Sequence, residues 1–133
     1  ESRGLGDVYK RQSNDWLTRD ETVVDEYNAG KLTTFLFTVN GYRGLMNMIL
    51  YVRKPRNIAK IPKNLPMLMV SGLDDPLGEY GKGVYRAYNT YHGHIDDIDL
   101  RLFEDCRHEL CNELNKEEIY EEIYGWIMDH MNK

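Results

Sequence analysis

Apolar positions change their period several times along the chain, and each change marks an element. From Ser13 to Gly30 the run W-L-T-R-D-E-T-V-V-D-E-Y-N-A-G puts Val23, Val24 and Tyr27 on one stripe. Thr18 or Asp20 can cap it and Gly30 can stop it, which predicts a short helix. The following run T-F-L-F-T-V (Thr34 to Val39) has the composition of a strand without clean alternation and stays unassigned. Tyr42, Leu45, Met46, Ile49 and Leu50 then recur at i, i+3, i+4, i+7 and i+8, one face of an amphipathic helix, with Met48 off the stripe. Core packing is the expected use of that face, and lining of an apolar substrate channel is the other.

The second half alternates element types. Two prolines in I-A-K-I-P-K-N-L-P (Ile58 to Pro66) forbid a helix and deliver the chain into a short buried strand, Met67 to Ser71. Gly72 to Gly83 is a loop rich in glycine and acid; a helix follows from about Val84 to Tyr91, and His92-Gly93-His94 closes it as a turn. Asp99 to Glu104 reads as a strand by its period of two. Asn115, with Glu118 three positions on, signals a helix start; Ile119, Tyr120, Ile123, Trp126 and Ile127 form its apolar stripe, expected to cover the sheet. Glu117, Glu118, Glu121 and Glu122 crowd its first turns, where the helix dipole favours negative charge. Strand, helix, strand, helix predicts an α/β fold with a parallel sheet flanked by helices.

Composition narrows the function classes. A chain of 133 residues with 41% hydrophobic and 29% charged residues suits one small folded domain. The formal net charge is −5, with basic residues scattered among acidic ones, so nucleic acid is not an expected partner. The longest mostly apolar stretch, Gly44 to Val52, is too short to span a bilayer, and no secretory leader opens the chain, so a cytoplasmic location is expected. Cys106 and Cys111 lie five apart, neither a disulfide framework nor a zinc pattern, and are expected as reduced, packed thiols. Residues 1–12, E-S-R-G-L-G-D-V-Y-K-R-Q, are polar and aperiodic and resemble a translated sequencing-library linker. Authentic sequence is therefore expected to begin near Ser13.

Two motifs carry chemistry. S-G-L-D-D-P-L-G (Ser71 to Gly78) puts an aspartate just after one predicted strand, and F-E-D-C-R-H-E-L (Phe103 to Leu110) puts a histidine just after the other. A serine hydrolase of the α/β type carries its triad in the order nucleophile, acid, histidine, each at the tip of a strand. Asp75 and His108 fit the acid and the histidine. Their separation, 108 − 75 = 33, leaves room for one helix and one strand, so both can emerge at one sheet edge. Asp75 precedes Pro76, which biases it toward extended backbone and makes Asp74 the less attractive acid. The bland alternative stays open: Asp75 caps its loop and His108 is a polar turn residue. No G-x-S-x-G occurs in the sequence, so the chain reads as the back half of an enzyme.

Other constellations are weaker. His108-Glu109 lacks the second histidine of H-E-x-x-H, and His92 with His94 is a solvated loop pair rather than a metal site, so no metal is expected. Cys106, two residues before His108, is poorly placed as a thiol nucleophile. Arg107 could steer a substrate anion, and an exposed salt-bridging arginine is the default.

The stretches L-P-M-L-M-V-S-G-L-D-D-P-L-G-E-Y-G-K-G-V and L-R-L-F-E-D-C-R-H-E-L-C-N-E-L-N-K-E-E-I-Y-E-E-I-Y-G-W-I resemble the C-terminal part of α/β hydrolases of the serine aminopeptidase, lysophospholipase and monoacylglycerol lipase type. In that family the aspartate of G-x-x-D-P-x-G is the triad acid and the histidine of R-H-E the triad base, which map onto Asp75 and His108. W-L-T-R-D-E-T-V-V-D-E-Y-N is similar to the end of the family's cap. The resemblance implies cap-derived residues 13–60 and hydrolase-core residues 61–133. It implies ester substrates of the lysophospholipid or monoacylglycerol class, transient contact with a membrane surface where the substrate is a lipid, and no cofactor. The front half of such an enzyme supplies the nucleophile and the oxyanion donors, so this chain alone is expected to be inactive. The alternative from another class is a non-catalytic α/β interaction module. Exact substrate and oligomeric state are not legible.

Overall fold

The computed structural model describes residues 14–33 and 35–131; the expectation of a foreign leader at 1–12 lies outside them. Helix α1 spans Glu21–Ala29, with Asp20 as N-cap accepting from the Thr22 N–H and Gly30 as C-cap. Of its predicted stripe, Val24 is buried while Val23 and Tyr27 are half-buried. Helix α2, Val39–Val52, is capped by the Thr38 hydroxyl, and a short helix α3, Pro55–Ile58, starts on a proline whose missing N–H costs nothing at that position.

The two strands are β1, Met67–Gly72, and β2, Ile98–Phe103, within one residue of the predicted bounds at each end. They run parallel in a register pairing Met67 with Ile98 and Gly72 with Phe103, and they form the sheet among the described residues. A parallel pair needs a crossover. Helix α4, Lys82–His92, supplies it and packs on both strands.

After β2 come a single 3-10 turn, Leu110–Asn112, and helix α5, Lys116–Met131. Cys106, Leu110 and Ile119 form a buried cluster with Phe103 and Ile123 packed against it, so the core sits directly behind the histidine loop. The far end of α5 is fastened to the start of β2: the Trp126 indole N–H donates to Asp99 at 2.7 Å, and the His130 ring stacks on Trp126 and faces Asp97. Asn115, read as the α5 cap, instead turns its side-chain oxygen to Arg19.

The expected core use of the second helix also fails. The Tyr42–Leu50 stripe forms its helix but not its core, because no residue of α2 is buried among the described residues. Leu45, Met46, Ile49 and Leu50 keep 36–62% of their surface exposed. Periodicity shows that a helix has an apolar face, not what covers it.

Candidate active site

Both site loops leave the sheet at the carboxyl ends of the strands, where parallel α/β sheets place their ligands. The loops stay zipped beyond the ladder: Leu73 N–H donates to Phe103 O and Asp74 N–H to Cys106 O, each at 2.9 Å. Gly72 allows this closeness. A Cβ there would lie 2.1 Å from Cys106 O and 2.3 Å from Arg107 O, both main-chain atoms of the histidine loop.

Asp75 and His108 meet. His108 Nδ1 lies 3.0 Å from Asp75 Oδ2, with the aspartate side chain only 8% exposed and the imidazole 40% exposed. The other oxygen, Oδ1, accepts from the Leu77 N–H at 2.8 Å, so the residue caps its own loop as well as touching the histidine. Facing a carboxylate, Nδ1 carries the proton, which leaves the Nε2 lone pair free to accept another. Trp16 flanks the imidazole, its ring centroid 5.1 Å away at an interplanar angle of 51°. Asp74 is exposed and contributes its main-chain N–H to Cys106.

Residues 15–19 clasp the histidine loop through main-chain atoms. His108 N–H donates to Trp16 O at 3.4 Å, Glu109 N–H to Leu17 O at 2.7 Å, and the Thr18 hydroxyl to Asn112 O at 2.7 Å. Arg107, expected as an exposed salt-bridging residue, is half-buried and turned to the clasp. Its guanidinium donates to the carbonyls of Asp15 and Thr18, at 2.5 and 3.0 Å.

Beneath the loop lies Glu113, fully buried. Its Oε1 accepts from the Arg107 N–H at 2.6 Å, and Oε2 accepts from Arg19 Nε at 2.9 Å and the Arg19 N–H at 3.3 Å. Burial works against the Arg19 charge, but its hydrogen bond to Glu113 and the nearby negative charge outweigh that, and the guanidinium is held above its ordinary value. Burial also pushes the Cys106 thiol up; the Glu113 charge adds to this, while the Asn115 hydrogen bond and Arg19 oppose it. Cys106 is thus a packed, protonated thiol, whereas Cys111 is exposed and departs from the expected packing.

His92 and His94 do not act together. His92 ends α4 beside Tyr88, and His94 Nε2 lies 2.7 Å from Ile61 O. Asp97, Asp99 and His130 have donor atoms within 4.8 Å and could jointly hold a cation, but they lie at the other end of β2, where their bonds fasten α5. Sequence reasoning missed Trp16, Arg19 and Glu113. The one available signal was a carboxylate set between Leu110 and Leu114, five residues beyond the histidine.

The sequence profile of the hydrolase family described as serine aminopeptidase, S33, matches residues 6–115. A search of curated proteins gave no significant match. Among solved structures, a highly thermostable carboxyl esterase from Bacillus coagulans, crystallised with glycerol, is similar at a TM-score of 0.77 and 21% identity. A lipase in an open form is similar at a TM-score of 0.76 and 23% identity. Each comparison covers 96% of this chain, which spans 41% and 42% of the length of those two proteins. These likenesses show the α/β-hydrolase fold. Matched over most of its length by one profile and built on that fold, the chain belongs to the serine aminopeptidase S33 family of hydrolases.

Proposed function

We propose that this chain supplies the acid and the base of a serine hydrolase acting on carboxylic esters, with Asp75 and His108 in those roles. The observation that carries the reading is the 3.0 Å contact between His108 Nδ1 and a buried Asp75 oxygen, with the rest of the imidazole open. In this reading Nε2 takes the proton of a serine hydroxyl as the serine attacks the ester carbonyl, and later gives it to the leaving alcohol. Asp75 fixes the Nδ1–H tautomer and stabilises the imidazolium that forms, without itself taking a proton. The serine and the oxyanion donors come from outside these 133 residues, since the sequence contains no G-x-S-x-G.

Lysophospholipid or monoacylglycerol substrates are supported by the exposed apolar face of α2, which suits an acyl chain and transient contact with a lipid surface. Two unpaired cysteines suit a reducing, cytoplasmic setting. No helix among the described residues is long and apolar enough to cross a membrane.

The test is fluorophosphonate labelling of the full-length protein, with His108→Ala and Asp75→Asn beside the parent. The parent labels; His108→Ala does not, and Asp75→Asn labels more slowly by up to about 10⁴-fold, the scale of an aspartate-to-asparagine change in a serine protease triad. Labelling that survives His108→Ala undiminished overturns the assignment. A full-length parent that never labels favours a non-catalytic interaction module.

A further inference from the structure

We propose that Glu113 is a positioning residue for His108, acting through the peptide bond between Cys106 and Arg107; the inference rests on the reading of His108 as the proton carrier. That peptide is held at both ends. Its carbonyl, Cys106 O, accepts from Asp74 N–H in the acid loop at 2.9 Å, and its amide, Arg107 N–H, donates to Glu113 Oε1 at 2.6 Å. His108 comes next in the chain. Rotation of this one peptide therefore swings the imidazole relative to Asp75, and the two bonds at its ends oppose that rotation.

A carboxylate is a costly group to bury, and one amide N–H could be held by a neutral acceptor. The second oxygen accounts for the charge. Oε2 pairs with Arg19 Nε at 2.9 Å and accepts from the Arg19 N–H, so one side chain ties the 15–19 clasp to the peptide before the histidine. The clasp in turn carries Trp16, whose carbonyl accepts from the His108 N–H and whose ring flanks the imidazole. Three constraints on His108 thus converge on Glu113: the preceding peptide, its own main-chain N–H and the wall beside its ring.

Glu113→Gln keeps the volume but has one acceptor oxygen for two sets of donors. The cation of Arg19 competes more strongly for that oxygen, which turns the amide NH₂ toward the Arg107 N–H and removes the bond at the amide end of the peptide. A further change, Arg19→Met, removes the competitor and lets the Gln oxygen return to Arg107. Rescue by removing a second stabilising residue is not expected of a residue that only supports the core.

The experiment is nitrogen NMR of the full-length protein with ring-labelled histidine, reading the exchange of the His108 Nδ1 proton at low temperature. In the parent that proton is observed, and Asp75→Asn removes it. Glu113→Gln speeds its exchange by about tenfold, the scale of one charge-assisted hydrogen bond. Arg19→Met with Glu113→Gln restores slower exchange although the protein is less stable, and Ile95→Ala, a buried site near the start of β2, lowers stability without changing the exchange. Unchanged exchange in Glu113→Gln overturns the positioning role and leaves the acid–base reading intact. A parent proton indifferent to Asp75→Asn overturns the acid–base reading itself. If Glu113→Gln does not fold, Glu113→Asp decides, because it keeps the charge and withdraws the oxygens by about 1.5 Å; unchanged exchange there has the same consequence.

Discussion

Gly72→Ala should destabilise the protein far more than one methyl group normally does. The added Cβ would stand 2.1 Å from Cys106 O, and ordinary contact begins at 3.4 Å, so the histidine loop must retreat by 3.4 − 2.1 = 1.3 Å. The obstructing atoms are main chain, which no change of rotamer relieves. A retreat of that size takes the 2.9 Å bond from Asp74 N–H to Cys106 O and the 2.6 Å bond from Arg107 N–H to Glu113 out of range. Overpacking costs about 1–3 kcal/mol, and parting the Arg107 N–H from its buried Glu113 acceptor adds about 1–3 kcal/mol. The sum, about 2–6 kcal/mol, is a large fraction of the roughly 5–15 kcal/mol that holds a domain together. For a chain of this length, between the size classes usually tabulated, it lowers Tm by roughly 8–25 °C. Urea unfolding followed by the fluorescence of Trp16 and Trp126 measures the free energy, and calorimetry measures Tm. A Gly72→Ala protein within about 1 kcal/mol of the parent would show that the loops are not packed as described.

The opposite sign is expected at Gly125, inside α5, where a Cβ meets nothing within 4 Å; Gly125→Ala should raise stability by about 0.5–1 kcal/mol in the same urea assay. Cysteine labelling with iodoacetamide at neutral pH should modify exposed Cys111 and spare buried Cys106 until the chain unfolds, as read by peptide mass spectrometry. Because burial raises the Cys106 thiol above its ordinary value of 9.0, folded protein holds a proton that unfolded protein releases. The contribution is intact below about pH 9 and is lost as pH rises through the folded value, a slope that Cys106→Ala should flatten.

Legibility in the sequence followed the range of the interactions. The strands and α4 could be placed to within about two residues because their signals, alternation and the punctuation of Pro and Gly, lie inside the segments themselves. Asp20 declared itself as a cap for the same reason. That Asp75 and His108 come together could also be read, since each follows a strand and parallel neighbours joined by one helix bring their ends to the same edge. Gly72 was legible only as the start of a loop. Its need for a bare α-carbon comes from a peptide 34 residues later, which no local pattern records.

The clasp was illegible for a further physical reason. Arg107, Thr18, His108 and Glu109 all bind main-chain atoms across about 90 residues of sequence, and a main-chain carbonyl looks the same whichever side chain it carries. Glu113 is the exception among them, because it is a charge, and an ionised side chain leaves water only where partners compensate for the loss. Its neighbours in sequence do not record its burial, since Leu110 is buried while Cys111 and Leu114 are exposed, and only the fold identifies Arg19 and the Arg107 amide as the compensation. Two carboxylates therefore serve one histidine loop in different ways. Asp75 touches the ring, where motif and spacing can reveal it; Glu113 holds the peptide before the ring, where the evidence lies in burial and not in sequence.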